Sequence, residues 1–437
     1  MKGHILRTST LWVRGLILAL LNVSLVALFT EYAHGQVRFA KTYGGALAYS
    51  VRQTSDSGYI VVGSTLIKTD AKGNIQWAKT YGSWDIAISV QQTSDGGYIV
   101  AGSTASFGAG GWDIFLIKTD AKGNIQWAKT YGGTSWDIAS SVQQTSDGGY
   151  IVAGLTLSFG AGNWDIFLIK TDAKGNIQWA KTYGGTDDDS AYSVQQTSDG
   201  GYIVAGYTRS FGEGSDILLI KTDAKGNIQW AKTYGGESSE RASSVQQTSD
   251  GGYILAGSTA SFGAGEGDIF LIKTDANGNI QWAKTYGGAR DDRASSVQQT
   301  SDGGYIVAGS TASFGAGLDD IFLIKTDAKG NIQWAKTYGG TSYDWAFSVQ
   351  QTYDGGYILA GFTGSFGTDG AGIFLIKTDA RGNIGSCSIV QDAKPIVNNA
   401  PFAVTSESPD VSSPSFTVNS VSPTVTSPNL TVSAPCP

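Results

Sequence analysis

The chain has 437 residues, with 30 Lys and Arg against 37 Asp and Glu, and its formal net charge is −7. Such an acidic balance argues against nucleic acid and anionic membranes as partners. The only two histidines, His4 and His34, lie within the first 35 residues. If that segment is removed, a Ser-His-Asp triad, a zinc site with histidine ligands and a c-type haem are all excluded.

Residues 1–35 have the features of a secretory signal peptide. They combine three basic residues, an apolar run at 15–29 and the small-residue site Ala33-His34-Gly35 before Gln36. The apolar run is too short to span a bilayer comfortably. We therefore expect cleavage near Gln36 and a secreted, extracellular or cell-surface protein without a membrane span in its mature form. An uncleaved anchor is the alternative. The leader holds three Lys/Arg and one acid, so the mature chain would carry 27 basic against 36 acidic residues.

Seven repeats follow, with a period that suits four short strands. The triplet GYI occurs seven times, and the tryptophan of GNIQW occurs six times at spacings of 50 to 52 residues. One unit, starting at Ala139, predicts the strands SSVQQT, YIVAGLT, DIFLIKT and IQWAKTY. The connecting turns SDGG and DAKGN have the Gly, Asp and Asn that hairpins need. Each unit is thus predicted to be an antiparallel four-stranded meander.

The third strand of each unit, DIFLIK, is almost continuously apolar, which indicates that both of its faces are buried. Burial on both sides is expected for a propeller blade between two neighbours. All eight prolines lie between Pro395 and Pro437, so the strand pairing of the repeats is uninterrupted.

The last unit lacks its fourth strand, because residues 378–390 read TDARGNIGSCSIV where the other copies continue into QWAKTYG. The mature N-terminus, VRFAKTYGG at 37–45, matches the missing strand, with Phe39 at the tryptophan position. Pairing of this segment beside residues 373–378 would close the ring. The sequence therefore predicts an all-β, seven-bladed propeller of four-stranded antiparallel blades over residues 36–391. The first unit lacks 11 residues of its second loop, so that blade should have almost none.

Units of the form DGGYIVAG, then LIKTDAKGNIQWAKTYGG, resemble a class of secreted bacterial and archaeal propeller-repeat proteins. The resemblance covers Gln36 to about Val390. It implies the propeller architecture and little about activity, since that class includes surface and adhesion-type proteins.

Variation among the seven copies is concentrated in two sets of loops, those between blades and the second loop within each blade. Both sets are expected on one face, which we call the upper face. Diversified loops on a repeated scaffold suggest a binding face, whereas relaxed drift at exposed loops is the alternative. Aromatic residues in these loops suit sugar or peptide contact, although they could instead pack between blades. The candidate ligand-binding residues are Trp84, Trp112, Trp136, Trp164, Tyr343 and Trp345.

Six units have a carboxylate five positions before the valine of the first strand. These acids should lie near the upper mouth of the central channel, where they could bind calcium or a cationic ligand. The alternative is that each acid caps its own turn. No other cofactor is expected. The candidate metal ligands are Asp85, Asp137, Asp189, Glu240, Asp292 and Asp344.

The two cysteines, Cys387 and Cys436, predict a single disulfide in an oxidising compartment. It would close a loop of about 50 residues and contribute roughly 3 to 4 kcal/mol. The tail, residues 392–437, is rich in Ser, Thr, Val and Pro, with Thr-Val pairs every seven residues. We expect short strands or an extended stalk that attaches to a surface or another subunit.

The leading hypothesis is a secreted, non-catalytic propeller that binds a glycan or protein through its upper loops, with the tail as a spacer. A glycosidase-like hydrolase that uses only carboxylates is the first alternative. Its acids would have to come from the non-repeated ones, Asp187, Asp188, Asp291 and Asp369. A rigid structural disc in a surface layer or filament is the second alternative.

Overall fold

The computed structural model of the protein describes residues 37–435, except 45–46, 83–84, 368–370, 413, 415–418, 421–424 and 427–429. The predicted signal peptide, residues 1–35, therefore lies outside the described residues. Within the described part, no helix is both long and apolar enough to cross a bilayer.

In the part of the chain that the structure describes, thirty-five strands form seven sheets, and each sheet is one blade of a propeller. The chain begins with β1 (Phe39–Tyr43). Blades 1 to 3 contain β2 (Ala48–Gln53), β3 (Tyr59–Gly63), β4 (Leu66–Thr69), β5 (Ile75–Tyr81), β6 (Asp85–Gln92), β7 (Tyr98–Thr104), β8 (Asp113–Thr119), β9 (Ile125–Tyr131), β10 (Asp137–Gln144), β11 (Tyr150–Thr156), β12 (Asp165–Thr171) and β13 (Ile177–Gly184).

Blades 4 to 7 continue the same four-strand pattern. They contain β14 (Asp189–Gln196), β15 (Tyr202–Thr208), β16 (Asp216–Thr222), β17 (Ile228–Gly235), β18 (Glu240–Gln247), β19 (Tyr253–Thr259), β20 (Asp268–Thr274), β21 (Ile280–Gly287), β22 (Asp292–Gln299), β23 (Tyr305–Thr311), β24 (Asp320–Thr326), β25 (Ile332–Tyr338), β26 (Asp344–Gln351), β27 (Tyr357–Thr363) and β28 (Gly372–Thr378). The first strand of each blade is innermost.

Third strands such as β12 are buried along their whole length, as their apolar sequence predicts. The reason is that each hydrophobic cluster joins two neighbouring blades: Ile166 and Leu168 of blade 3, for example, pack with Val204 and Leu218 of blade 4. The predicted fold, a seven-bladed propeller of four-stranded antiparallel blades, is confirmed.

The N-terminal strand closes the ring. β1 pairs antiparallel with β28, with Phe39 opposite Lys377 and Tyr43 opposite Ile373. Phe39 packs edge-on against Tyr59 of blade 1, with ring centroids 6.1 Å apart. The six GNIQW tryptophans make the same contact with the tyrosine of the next blade, at 5.8–5.9 Å. Phe39 therefore substitutes for tryptophan, as the sequence predicts.

Every junction between neighbouring blades also carries a hydrogen bond from a fourth-strand tyrosine. Its hydroxyl donates to a glycine carbonyl in the DAKGN-type turn of the next blade, over 2.6–2.8 Å. Tyr43 makes this bond to Gly73 and so joins blade 7 to blade 1. These donors are Tyr43, Tyr81, Tyr131, Tyr183, Tyr234, Tyr286 and Tyr338.

An ion pair between a buried lysine and a partly exposed aspartate explains why the SDGG turn hardly varies. In blade 3 the ammonium of Lys170, whose side chain is 4% exposed, contacts the Asp147 carboxylate at 2.9 Å. The same ammonium donates to the Thr171 carbonyl and to Gln178. A Cβ on Gly149 would lie 2.1 Å from that carbonyl oxygen, so the second glycine of the turn is required. All seven blades have this Lys–Asp pair.

The C-terminal tail surrounds the propeller. It contributes β29 (Val390–Asp392), β30 (Ile396–Asn399), β31 (Ala403–Glu407), β32 (Asp410–Ser412), β33 (Asn419–Ser420), β34 (Val425–Thr426) and β35 (Val432–Ser433). These strands pair in turn with the outer strands of blades 6, 5, 4, 3, 2, 1 and 7. Each blade thus gains a fifth strand. The expectation of short strands is correct, whereas the alternative of a stalk or spacer is wrong over the described strands, because their backbone groups pair with the blades.

The tail advances by one blade every seven residues. Val397, Val404 and Val411 lie opposite Tyr286, Tyr234 and Tyr183 in successive blades. Each interval between consecutive tail strands contains one proline, which suits a position where no backbone donor is needed. Between β30 and β31, Phe402 is buried against Phe262 and Phe270. The C-terminal tail therefore also fills a groove between blades.

Blade 1 has the short second loop that the sequence predicts. β3 ends at Gly63 and β4 begins at Leu66, so Ser64 and Thr65 form the whole connection. The corresponding loop of blade 3 spans residues 157–164.

Candidate functional site at the upper face and central channel

The six candidate metal-ligating acids lie at the upper ends of the innermost strands, and all of them except Asp85 bond to two upper loops. In blade 3, Asp137 accepts hydrogen bonds from the Gly133 amide at 2.8 Å and from the Ser158 hydroxyl at 2.7 Å. Asp189, Glu240, Asp292 and Asp344 accept from the glycine amide at the same position. Five of the six acids, all except Asp85, are 0% exposed. The recurring acid thus has the loop-capping role that was the alternative interpretation.

These acids also approach a second set of carboxylates at the start of the third strands. A Cβ added to Gly184 would lie 1.8 Å from Asp165 and 2.8 Å from Asp189, so the two carboxylates flank the same glycine. Burial raises the pKa of Asp165 to about 6. The charge of Asp189 adds to this effect, whereas hydrogen bonds from the Gly162 and Ala161 amides oppose it. Burial also raises the pKa values of Asp216 and Asp320 to about 6. At the upper rim, acids of the first strands therefore lie close to acids of the third strands.

Among the described residues, no group of three or more His, Cys, Asp or Glu converges as metal ligands would. The carboxylates occur in pairs, and several pairs have a buried oxygen atom without a hydrogen-bond partner, such as Oδ1 of Asp189, Asp216 and Asp268. A calcium ion would need several more oxygen ligands than one pair supplies.

The loop aromatics form two separate pairs on the upper face. Trp136, which is 49% exposed, lies 6.4 Å from Trp164 between ring centroids. Tyr343, which is 43% exposed, lies 5.5 Å from Trp345. Trp345 also packs on Phe362 and donates its indole N–H to Asp319 at 3.0 Å. Trp112 is half-buried in its loop, and Trp84 lies outside the described residues.

A β-bulge in each innermost strand selects the side chains that line the channel. In all seven blades the register shifts between an alanine and a serine two positions later, which leaves one extra residue between them. Such a bulge re-aims a side chain. The flanking Ala, Ser and Val are identical in all copies, whereas the bulged residue differs. The bulged residues are Tyr49, Ile88, Ser140, Tyr192, Ser243, Ser295 and Phe347.

The upper half of the channel is a cavity of about 570 Å³ with two unlike walls. Blades 7, 1, 2 and 3 supply Phe347, Tyr49, Ile88, Ile138 and Leu155, and the rings of Tyr49 and Phe347 are 5.4 Å apart. Blades 5 and 6 supply the basic side chains of Arg241 and Arg293 together with serines. Tyr192 of blade 4 separates the walls and stacks on Tyr207, over which Arg241 lies at 4.6 Å.

Arg52 lies between this cavity and the lower part of the channel, which it also lines. The six other blades have glutamine at this position, and its side-chain oxygen accepts the backbone N–H of a glutamine in the next blade over 2.6–2.7 Å. A guanidinium cannot accept such a bond. Arg52 instead donates to the Val51 carbonyl at 2.8 Å and to the Ser348 hydroxyl at 3.3 Å. Burial lowers the pKa of Arg52.

Arg52, Arg241 and Arg293 were not among the site residues predicted from the sequence. The signal was present in the internal repeats, because Arg52 replaces a glutamine common to six copies and the bulged residue varies within the constant frame Ala-x-Ser-Val. The sequence does not reveal the β-bulge. Without a bulge, regular alternation would place the residue between Ala and Ser on the other side of the strand.

Comparison with known proteins gives one curated relative, the regulatory protein FlaEY of Caulobacter vibrioides. It is 27% identical over 218 residues, which is 44% of this chain and 22% of the relative. The matched stretch thus spans about a fifth of that protein's length.

Among solved structures, the WD40 β-propeller domain of Doa1 is similar with a TM-score of 0.50 and 12% identity, over 80% of this chain and all (100%) of that one. Sqt1 from Chaetomium thermophilum has a TM-score of 0.44 and 8% identity, over 79% of this chain and 99% of that chain. At these identities the first similarity supports the propeller fold alone.

The family of holdfast attachment protein D matches residues 59–295 and, in an overlapping second match, residues 117–345. Together these matches cover most of the repeats, from the first GYI strand to the last inter-blade loop. Because they extend over more than half of the chain, the chain belongs to the holdfast attachment protein D family.

Proposed function

We propose that this protein is a secreted, non-catalytic attachment protein that acts at the cell surface and binds a glycan or a protein through its upper face. Membership of the holdfast attachment protein D family supports a cell-surface or structural role. A rigid disc with strengthened blade edges suits a protein that must resist mechanical or proteolytic stress.

The observation that carries the binding proposal is the pairing of exposed aromatic rings on the variable loops. Trp136 lies in the loop that joins blades 2 and 3, and Trp164 lies in the second loop of blade 3. Their rings are 6.4 Å apart, and Trp136 remains 49% exposed. Adjacent flat apolar faces in an otherwise polar rim suit the apolar face of a sugar ring or an extended peptide. In contrast, the tryptophans of the fourth strands pack against the tyrosine of the next blade in every copy.

A screen of glycans, cell-wall fragments and surface proteins tests this proposal with two variants. Trp136→Ala combined with Trp164→Ala should abolish binding of any ligand found, without lowering the melting temperature appreciably. The matched control is Tyr353→Ser on the lower face, where the exposed tyrosine takes the place of the serine that begins the corresponding turn in the other six blades. Unchanged binding by the double variant would contradict the proposal. Turnover of a glycan would favour the hydrolase, and a complete lack of ligands would favour the structural disc.

Calcium binding by the upper acids remains a proposal with a direct test. Oδ1 of Asp189, which is buried and has no hydrogen-bond partner, would be a ligand for a cation whose coordination water or a bound molecule completes. Calcium should then raise the melting temperature of the native protein and not that of a variant with Asp137→Ala and Asp189→Ala. Equal shifts, or none, would leave the acids with the loop-capping role alone.

A further inference from the structure

Arginine side chains are concentrated in the upper channel, in contrast to the net negative charge of the whole chain. The whole chain is acidic, with 37 Asp and Glu against 30 Lys and Arg. Among the described residues that line the cavity of about 570 Å³, however, three are arginines and none is a carboxylate. A cavity of this size can enclose most of a small organic molecule.

Arg52 is the most unusual of these arginines because it is charged deep inside the disc. Its side chain is half-buried where it faces the channel, and burial lowers its pKa. Among the described residues no carboxylate lies within ion-pair distance of it, and its two hydrogen bonds go to neutral oxygens. A partly buried charge without a counter-ion is costly. A bound anion would supply the missing charge.

The two other arginines lie nearer the mouth and have weak partners. Arg241 lies over the Tyr207 ring at 4.6 Å, a contact that leaves its guanidinium edge available to an oxygen acceptor. Arg293 contacts Asp291 at 3.1 Å, but both side chains are well exposed, at 64% and 46%. An exposed ion pair of this kind contributes little and can be exchanged for another anion.

The opposite wall indicates what else the ligand contains. Phe347 and Tyr49 present neighbouring rings 5.4 Å apart, and Ile88 extends the apolar surface into blade 2. A simple inorganic anion would leave this surface in contact with water. A planar carboxylate attached to an aromatic or aliphatic group would satisfy both walls, because a guanidinium pairs well with a carboxylate and the rings bury the apolar part.

We propose that the upper channel is a binding site for an organic carboxylate with an apolar side group, whose carboxylate pairs with Arg52 and whose apolar group packs on Phe347 and Tyr49. The same chemistry occurs in a free aromatic acid and in the C-terminal residue of a peptide that ends in phenylalanine. This site is separate from the Trp136 and Trp164 pair and does not depend on the function proposed for those loops.

Calorimetric titration with four probes tests the proposal. The probes are 3-phenylpropionate, 3-phenylpropanamide, the peptide Gly-Gly-Phe with a free carboxylate and the same peptide with a C-terminal amide. At least one of the two acids should bind, and its amide should not. Binding of the small acid alone would identify a free acid as the ligand, while binding of the peptide acid would identify a chain terminus. Either result supports the site.

Arg52→Gln gives the decisive variant because it restores the residue of the six other blades. It should weaken binding of the acid by roughly tenfold to a hundredfold, as expected for loss of a hydrogen bond to a charged group. The matched control is Arg209→Gln, which removes one charge from the upper face at a residue paired with Asp188 outside the cavity. The proposal is overturned if acid and amide bind equally, if Arg52→Gln binds as the native protein does, or if none of the probes binds.

Discussion

Tyr43 and Val432 lie opposite each other on adjacent antiparallel strands. Next to them the hydroxyls of Thr42 and Ser433 are 2.6 Å apart, and the Gly44 amide donates to the Thr431 carbonyl at 2.9 Å. The first strand of the ring and the last strand of the tail are thus neighbours in blade 7. The N-terminal segment closes the propeller, and the tail then covers the segment that closes it.

Removal of the tail should expose the outer edge of all seven blades. A variant that ends at Ile389 would leave the backbone groups of the fourth strands unpaired, which favours edge-to-edge association. We expect a lower melting temperature and concentration-dependent aggregation, measured by calorimetry and light scattering. A variant that ends at Ser433 keeps every tail strand and is the control. If both variants remain monomeric and equally stable, the tail strands do not protect the edges.

The predicted disulfide between Cys387 and Cys436 stays a prediction, since Cys436 lies outside the described residues. The path of the tail is compatible with it: Cys387 packs against the hydrophobic cluster that blades 6 and 7 share, and β35, three residues before Cys436, pairs in blade 7. Mass mapping of the unreduced protein should recover the linked peptides. Replacement of both cysteines by serine should cost roughly 3 to 4 kcal/mol of unfolding free energy for a loop of about 50 residues. Unlinked peptides from protein produced in an oxidising compartment would contradict the prediction.

Closure by Phe39 can be measured directly. Phe39→Ala removes a side chain that is 9% exposed and packs on Tyr59, and it should lower the unfolding free energy by about 3 kcal/mol. Phe39→Trp restores the residue of the six other fourth strands and should be neutral or stabilising. Urea denaturation checks both. An alanine variant as stable as the native protein would show that β1 contributes little to closure.

Arg52→Gln should stabilise the empty protein by about 1 kcal/mol. A glutamine there can accept the backbone N–H of Gln92, as its six counterparts do in their junctions, and the buried charge disappears. The reciprocal change, Gln143→Arg, should destabilise, because it removes the bond to the Gln196 amide, which is 2.6 Å long. Thermal unfolding of both variants checks the pair. A lower stability for Arg52→Gln would mean that the guanidinium has a structural role.

Stability should be greatest at mildly acidic pH because two sets of aspartates act in opposite directions. Burial alone would raise the pKa of Asp147, but hydrogen bonds from Thr145, Lys170 and the Gly149 amide outweigh it and lower the pKa to about 2. The stability from such a group is complete above its unfolded pKa of about 4 and is lost as the pH falls towards 2. Asp165, with its pKa raised to about 6, behaves oppositely, so stability should increase as the pH falls from 7 towards 4.

Melting temperatures from pH 2 to 8 should therefore pass through a maximum between about pH 4 and 6. Asp165→Asn removes one titrating group and should reduce the gain between pH 7 and pH 5, without changing the loss below pH 4. A monotonic rise of stability from pH 4 to pH 7 would contradict this account of the upper acids.

The repeats made most of the fold predictable. Turn chemistry and the apolar third strand can be observed in the sequence of one copy and specify local structure. The match of residues 37–45 to the missing strand appears when the copies are compared, and it specifies closure. The tail strands could not be assigned in the same way. They are two to five residues long and pair through backbone atoms, and their partners lie in blades far away in sequence.

The candidate site was also predictable only in part. Loop aromatics such as Trp136 are conspicuous in the sequence, and the structure places four of them in two pairs. The recurring acids were also visible in the sequence, but only the structure shows that Asp137 accepts hydrogen bonds from the Gly133 amide and the Ser158 hydroxyl. The channel lining depends on seven β-bulges, which alternation rules do not reveal.

The length of the C-terminal tail matches the number of blades. Six steps of seven residues carry the tail from Val390 on blade 6 to Val432 on blade 7, in the direction opposite to the order of synthesis. Nearly identical repeats invite recombination that deletes or duplicates a unit. A ring of six or eight blades would leave this tail one step too long or one step too short, so its ends could not meet. A chain with a different number of repeats would therefore leave either a tail strand or a blade edge unpaired.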